Sequence, residues 1–468
     1  MKHLAYKWLM GRATGGVGVL AREESMAAFR AVPLPRYPSR LGRARSPNAP
    51  QGFATGGRLG EPSLPVAAPP RGALNCLTAL LLLTTAAHAQ PVAPWDRETL
   101  YKTPQVFDAP EFATNEVKTI FYEGEPYQGK PTRVFAYYGF PEGATADKPV
   151  PGIVLIHGGG GSAFVRWVRL WNSRGYAAIS MDTCGAVSGN AYGREQDGHV
   201  RHAWAGPPGW GGFDKHADPV RDQWTYHAAA AAVRGHSLLR SFPEVDASRI
   251  GLTGISWGGY LTCIVAGVDD RFAFAVPVYG CGFLGDSPLY PRGLPGAEKW
   301  LALWDPSVYL PAAKAPFLWV TGSNDFAFPM DSLQKSYRAL PAPSTLCVRL
   351  RMPHGHGAAG ENPAEILAFA DHMTRGGKPF PTFANVKRDR RAITAAYDAQ
   401  GRTVTKAELN YTLDTGTWKE RLWHTVPVPH PSPERGTLSA ELPEGTTVWY
   451  FNLFTEDGLA TSSVHEEL

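Results

Sequence analysis

The chain has 468 residues, of which 44% are hydrophobic and 19% charged, so it can bury a large core and is expected to form more than one domain. Its formal net charge of +4 comes from the first 89 residues, because the remainder carries more acidic than basic side chains. The charge therefore gives no reason to expect a nucleic-acid partner. Beyond residue 89 no apolar run is long enough to span a bilayer, so that part is not expected to bind a membrane.

Residues 1–89 are predicted to lie outside the folded protein. They are poor in acidic residues and rich in Arg, Pro, Ala and Gly, and they end with Arg71, an apolar stretch over 73–83 and the tripeptide Ala87-His88-Ala89. This is the order of a secretory signal and its cleavage site, although a buried apolar helix is the alternative. We expect cleavage near Ala89 and a periplasmic or secreted protein. Since the signal begins far into the chain, translation is expected to start downstream of Met1.

The cysteines give no clear indication of a disulfide or metal site. Cys76 lies in the predicted signal, which leaves four in the rest of the chain, namely Cys184, Cys263, Cys281 and Cys347. Four cysteines in an exported protein could form two disulfides, but their spacing is typical neither of a small disulfide scaffold nor of a zinc site. Two of them lie in apolar runs, which favours buried thiols.

The region from residue 90 to 380 alternates between strand and helix patterns. The predicted strands cover 115–121, 132–138, 149–156, 176–181, 249–253, 272–279, 316–321 and 345–351. The predicted helices cover 163–172, 221–240, 260–268, 297–303, 331–340 and 363–374. The first two strands should pair antiparallel, and the continuous apolar runs that follow are typical of strands buried on both faces of a parallel sheet. The fold class is therefore α/β, with helices on both faces of a mostly parallel sheet.

After residue 380 the pattern changes to short strands alone. These are predicted over 393–397, 406–411, 418–423, 437–442 and 446–454, and turn residues separate them. Such a series is typical of a small β-sandwich, so residues 381–468 are predicted to form a second, β-sandwich-like domain. It could bind polysaccharide or only cover the first domain, and packing is the favoured role for its tryptophans, Trp418, Trp423 and Trp449.

The most informative motif is Gly254-Ile255-Ser256-Trp257-Gly258, which lies between a predicted strand and a predicted helix. A serine flanked by glycines at a strand-to-helix turn is typical of a nucleophile elbow, where a larger residue would clash. Ser256 is the predicted nucleophile. The motif alone is weak, because glycine-rich chains produce it by chance.

Two further stretches supply the partners that a serine nucleophile needs. Asp325 directly follows the strand over 316–321 and could orient a base, although it could instead cap the next helix. His354 and His356 follow the next strand, and either could be the base. Because Gly355 and Gly357 flank His356, we predict that His356 takes the proton. The order Ser, Asp, His is that of the α/β-hydrolases.

A glycine run, 158–161, follows the strand over 149–156 and is predicted to form an oxyanion hole. The N–H of Gly159 and the N–H of Trp257 are the predicted donors, with Gly158 and Gly160 as neighbouring candidates. A phosphate-binding loop is disfavoured, because neither G-K-[ST] nor G-x-G-x-x-G is present. No cofactor and no metal are expected, since the histidines of the insertion, His199, His202 and His216, lack a ligand-like spacing.

Four stretches together resemble the acetylxylan-esterase-like α/β-hydrolases, which are related to dienelactone hydrolase and to prolyl oligopeptidase catalytic domains. They are IHGGGGSAF at 156–164, GISWGGYLT at 254–262, TGSNDFAFP at 321–329 and RMPHGHG at 351–357. The resemblance covers roughly residues 115–378 and implies the same nucleophile, acid and base. Trp257 departs from the tyrosine that is frequent after the serine in the oligopeptidase relatives, and the segment before this region is short, which disfavours a peptidase.

The expected function is that of an exported serine carboxylic ester hydrolase that removes small acyl groups, such as acetyl, from a carbohydrate or small-molecule ester. The alternatives are a serine peptidase of the prolyl oligopeptidase type and an inactive hydrolase fold that binds carbohydrate. Aromatic residues of the long insertion, which are Tyr192, Trp204, Trp210 and Phe213, could line the substrate pocket or be core residues.

Overall fold

The computed structural model describes residues 93–187 and 200–468. The predicted signal, Cys76, Tyr192 and His199 lie outside these residues. The described residues all belong to one compact unit, Thr85–Leu468. Among them, no helix is both long enough and apolar enough to cross a membrane.

Strands and helices alternate up to residue 375. The elements are α1 (Arg97–Leu100), β1 (Val106–Asp108), β2 (Lys118–Glu123), β3 (Arg133–Gly139), β4 (Val150–Ile156), α2 (Val165–Ser173), β5 (Ala177–Met181), α3 (Trp224–Ser241), β6 (Val245–Ile255), α4 (Trp257–Val268), β7 (Phe274–Val278), α5 (Ala297–Trp304), β8 (Phe317–Gly322), α6 (Met330–Ala339), β9 (Ser344–Arg349), α7 (Ala358–Glu361) and α8 (Ala364–Arg375). Short strands follow, with β10 (Thr382–Asp389), β11 (Ala392–Asp398), β12 (Val404–Thr412), β13 (Trp423–Pro427), β14 (Arg435–Glu441), β15 (Val448–Thr455), β16 (Ala460–Ser462) and β17 (Glu466–Glu467).

The large sheet has the order β1-β2-β3-β5-β4-β6-β7-β8-β9, and it continues through β16, β15, β12 and β13. The strands β5, β4, β6, β7, β8 and β9 are parallel to one another, whereas β1, β2 and β3 add an antiparallel edge. The predicted pairing of the first two strands corresponds to β2 and β3, with Ile120 opposite Ala136. The α/β fold class is confirmed.

Helices cover both faces of this sheet because its strands are apolar on both sides. Along β4, Val154 and Ile156 belong to the core under α3 and α4. The residues between them, Ile153 and Leu155, belong to the core under α2 and α8. This alternation follows from the two-residue period of a strand, and it leaves the carboxyl ends of the parallel strands as the edge where polar side chains can gather.

The C-terminal strands form a second core of their own. β10, β11 and β14 make a separate sheet that packs on β12 and β15, and the interface includes Ile393, Leu409, Leu438 and Phe451. The β-rich region predicted here is therefore present, and one of its two layers extends the large sheet. Ser462 of β16 pairs with Leu346 of β9, and this pairing joins the C-terminal layer to the large sheet. The boundary predicted near residue 380 falls between α8 and β10 and stays a prediction.

One sequence expectation for this region changes in detail. The predicted strand over 418–423 is a 3₁₀ turn, Trp418–Glu420, followed by β13, which begins at Trp423. As expected, the tryptophans of this region are packed, since Trp449 is fully buried and Trp418 is buried in the large core that also contains Val448 and Tyr450. The cysteines Cys184, Cys263, Cys281 and Cys347 are all buried, unpaired thiols in the described part of the chain.

Candidate active site

Ser256 lies in the sharp turn between β6 and α4. Its backbone angles are φ 59° and ψ −117°, a conformation that costs a non-glycine residue of order 1–3 kcal/mol. The flanking glycines make the turn possible. A Cβ on Gly258 would lie 2.0 Å from the carbonyl oxygen of Ile156, and one on Gly254 would lie 2.2 Å from the carbonyl oxygen of Gly258. The local sequence thus forms the strained elbow that exposes a serine hydroxyl.

The histidine that meets Ser256 is His354. Its Nε2 lies 2.8 Å from Ser256 Oγ, and its Nδ1 lies 2.6 Å from Asp325 Oδ2. With Nδ1 protonated and donating to the carboxylate, Nε2 is free to accept the hydroxyl proton. Ser256, His354 and Asp325 therefore form one continuous line of hydrogen bonds.

Asp325 is held in place by the backbone of its own turn as well as by the histidine. It follows β8, its side chain is fully buried, and its Oδ1 accepts hydrogen bonds from the backbone N–H groups of Ala327 and Phe328 at 2.9 and 2.8 Å. Asp325 thus fixes its own turn rather than capping α6, which has Pro329 at its N-cap and no side-chain cap. The turn uses only one carboxylate oxygen. The other oxygen is left to orient His354.

Aromatic side chains surround the imidazole of His354. Tyr279 stacks on it with ring centroids 4.7 Å apart, and Phe326 lies at the same distance in a tilted arrangement. Tyr279 is fully buried, and burial raises the pKa of its hydroxyl, so it stays neutral. These contacts restrict the imidazole to the orientation that faces the serine. Neither aromatic could be recognised as part of the site from periodicity, because both lie in loops after strands.

The prediction that His356 faces the serine is corrected by this geometry. His356 Nε2 accepts a hydrogen bond from the N–H of Gly158 at 2.9 Å, and its Nδ1 lies 3.0 Å from Glu361 Oε1. Gly357 has φ 91° and starts α7, which returns Glu361 to His356. The flanking glycines serve this return rather than directing His356 to Ser256. Glu361, five residues after His356, was the available signal, and sequence reasoning missed it.

The two predicted oxyanion donors lie next to one another. Trp257 is the first residue of α4, so its N–H has no acceptor within the helix. A Cβ on Gly159 would lie 2.7 Å from Trp257 Cδ1, which shows how closely the glycine run passes the start of α4. Gly159 and Trp257 are thus neighbours, and Trp257 directly follows Ser256.

The described part of the long insertion packs against the elbow. Phe213 contacts Trp257 and Trp300 with ring centroids 6.0 and 4.3 Å apart. A Cβ on Gly159 would lie 3.8 Å from Trp210, so this tryptophan borders the glycine run. Trp204 lies elsewhere, stacked by Arg133 and 42% exposed. Of the three described aromatics that were singled out from the sequence, Trp210 and Phe213 therefore border the site.

Histidines of the insertion do not gather into a metal site in the described residues. His202 packs on Phe121, and burial lowers its pKa to about 4, whereas His216 contacts the backbone oxygen of Pro295. Within residues 93–187 and 200–468, no three His, Cys, Asp or Glu side chains are close enough to hold a metal ion.

The sequence matches the acetyl xylan esterase family model over residues 100–289 and the prolyl oligopeptidase family model over residues 209–375. This chain has the α/β-hydrolase fold. Its resemblance to the acetylxylan-esterase-like group is confirmed. The second match contains Ser256, Asp325 and His354 together.

Individual relatives are distant from this α/β-hydrolase. It is 26% identical to an uncharacterised peptidase, YuxL, of Bacillus subtilis (strain 168) over 209 residues, which are 41% of this chain and 28% of that protein. An acetyl xylan esterase from Paenibacillus sp. R4 has a TM-score of 0.46 at 22% identity, covering 59% of this chain and 92% of that one. An acylaminoacyl peptidase from Pyrococcus horikoshii has a TM-score of 0.42 at 19% identity, covering 57% and 43%.

Proposed function

We propose that this α/β-hydrolase is a serine carboxylic ester hydrolase that removes small acyl groups, such as acetyl, from carbohydrate or small-molecule esters. The observation that carries the proposal is the line of hydrogen bonds from Ser256 Oγ through His354 to Asp325 on a strained elbow. The match to the acetyl xylan esterase family model over residues 100–289 supports an acetylated carbohydrate as the ester substrate.

The mechanism begins with proton transfer from Ser256 Oγ to His354 Nε2 while Oγ attacks the acyl carbon. Asp325 holds the imidazole and stabilises its positive charge. The N–H groups of Gly159 and Trp257 bind the oxyanion, and each donor of this kind contributes about 2.7–4 kcal/mol to the transition state.

Collapse of the tetrahedral intermediate expels the alcohol, which takes the proton from His354, and leaves the acyl group on Ser256. Water then attacks the acyl carbon and loses its proton to His354. The second intermediate releases the acid, and the proton returns to Ser256 Oγ. Apart from this water, the proposed steps use only groups of the chain and of the ester.

A serine peptidase is the second candidate, and a specific observation favours it. The prolyl oligopeptidase family model matches residues 209–375, which include all three residues of the hydrogen-bonded line. Peptide and ester cleavage share the same acyl-enzyme chemistry, so they differ in what the surrounding pocket accepts.

The test compares hydrolysis of 4-nitrophenyl acetate, its longer-chain esters, acetylated xylan and a peptide anilide, with Ser256→Ala as the control. We expect fast acetate release that falls as the acyl chain lengthens, acetate release from xylan, and no turnover above background in Ser256→Ala. Cleavage of the anilide with slow ester turnover would contradict the esterase and favour the peptidase.

A further inference from the structure

His356 forms a second line of hydrogen bonds beside the first. Because the N–H of Gly158 donates to Nε2 at 2.9 Å, the proton of the neutral ring must lie on Nδ1, where it is donated to Glu361 Oε1 at 3.0 Å. Glu361 is fixed in turn by Arg166, whose Nε lies 3.1 Å from Oε2. One tautomer satisfies every contact, so the geometry itself determines where the proton is.

The glycine that His356 holds lies against the nucleophile. A Cβ on Gly158 would lie 2.8 Å from the carbonyl oxygen of Ile255 and 3.1 Å from Ser256 Cβ. The carbonyl oxygen of Gly158 is also engaged, since it accepts from the N–H of Gly161 at 3.0 Å. With both backbone groups of Gly158 fixed, the direction of the next N–H, that of Gly159, is fixed as well.

We propose that His356 is a positioning residue, whose neutral imidazole holds the glycine run 158–161 in the conformation that binds the oxyanion and whose protonation releases it. This inference rests on the proposed function, because it concerns the oxyanion hole of that same site. A protonated ring carries N–H groups on both nitrogens, and two donors, Nε2–H and the N–H of Gly158, would then face each other.

The surroundings of His356 favour the neutral ring. The groups that face it are the carboxylate of Glu361 on α7, the guanidinium of Arg166 on α2 and the imidazole of His354 on its own loop, with the rings of Phe164 and Trp167 against it. Burial lowers the pKa of His356, and Glu361 opposes this effect only in part. The ring therefore stays neutral at neutral pH, and protonation occurs only as the pH falls through this lowered pKa.

Glu361 must be ionised to accept the proton of His356 Nδ1, whereas His356 itself must be neutral. Burial alone would raise the pKa of Glu361, but hydrogen bonds from His356 and Arg166 outweigh it and hold that pKa below its usual value. Glu361 is thus ionised wherever His356 is neutral. The acceptor for the Nδ1 proton is present across the whole range in which the loop must be held.

Two variants at one position separate the acceptor from the bulk of the ring. His356→Leu removes the acceptor, and we expect kcat for 4-nitrophenyl acetate to fall about 10–100-fold with KM nearly unchanged, because the loss affects the transition state. His356→Gln offers an amide oxygen near the position of Nε2 and should recover most of that loss. His372→Gln, on α8, is the matched control for removal of a histidine, and melting temperatures identify any unfolded variant.

The pH profile supplies a readout that a merely structural role would not change. Just below the pKa of His356, log kcat of the wild type should fall more steeply than that of His356→Gln, by up to about one additional unit per pH unit, until the 10–100-fold loss is reached. In His356→Gln this additional fall should be absent. Identical acid limbs in the two proteins, or undiminished kcat in His356→Leu, would overturn the proposal.

Labelling and NMR keep the inference separate from the proposed function. If no ester is hydrolysed, the rate at which a fluorophosphonate labels Ser256 should show the same order of variants and the same pH dependence, since labelling also needs the oxyanion hole. Nitrogen NMR of histidine-labelled protein tests the tautomer without activity. The signal that disappears in His356→Gln should show an unprotonated Nε2 at neutral pH, and a protonated Nε2 there would overturn the proposal.

Discussion

Two histidines separated by one glycine differ in which acid each one meets. His354 is paired with Asp325 after β8, and His356 is paired with Glu361 in α7. From the sequence, both are loop histidines after the same strand, so their spacing from that strand cannot separate them. The distinction depends on Gly357, whose positive φ starts the short helix that brings Glu361 back.

The histidine pair gives a direct prediction at the residue scale. His354→Ala should lower kcat by about 10³–10⁶-fold, since the general base is lost, whereas His356→Ala should cost only about 10–100-fold. Steady-state hydrolysis of 4-nitrophenyl acetate by both variants, beside Ser256→Ala, measures the difference. A larger loss in His356→Ala would show that His354 is not the base.

The elements that hold the site were predictable where their causes are local. The turn at Ser256 could be recognised because the adjacent backbone leaves room only for glycines. A Cβ on Gly258, for example, would lie 2.0 Å from the carbonyl oxygen of Ile156. The buried strands β4 and β8 are continuous apolar runs. In contrast, β16 has three residues, and it is a strand only because β15 and β9 lie on either side of it. Such non-local pairing leaves no pattern in the sequence.

Asn324, next to Asp325, joins the loop of the acid to the C-terminal region. Asn324 Nδ2 lies within hydrogen-bond distance of the backbone oxygens of Trp418, Lys419 and Arg421, at 3.1, 3.1 and 2.7 Å. Its Oδ1 accepts from Ser323 at 2.8 Å. The 3₁₀ turn that replaces the predicted strand is therefore the element that supports the acid loop.

At the element scale, Asn324→Leu should destabilise the protein. The variant leaves backbone oxygens of the turn without their donor, which costs about 1–3 kcal/mol of the free energy of unfolding. Lys419→Ala is the matched control, because it changes an exposed side chain and keeps the backbone oxygen. Urea unfolding measures both. Equal midpoints for the two variants would show that Asn324 does not support the turn.

At the scale of the whole molecule, the C-terminal strands extend the sheet that carries the site. Side chains reinforce the single backbone contact between β16 and β9, since Ser462 Oγ accepts from the N–H of Val348, and Asn452 donates to the carbonyl oxygen of Val348 at 3.1 Å. From α8, Glu365 accepts a hydrogen bond from the N–H of Ala460 in β16 at 2.9 Å. The change from α/β to β patterns near residue 380 was visible in the sequence, but this continuity was not.

The central claim is that acyl transfer passes through Ser256, and trapping the covalent intermediate tests it most directly. The enzyme is mixed with 4-nitrophenyl acetate, quenched in acid during turnover, digested and examined by mass spectrometry, with Ser256→Ala treated in parallel. We predict an acetyl group on Ser256 in the wild type and none on the corresponding peptide of the variant. Steady hydrolysis with no acetyl group on Ser256, or with equal turnover in Ser256→Ala, would contradict the account.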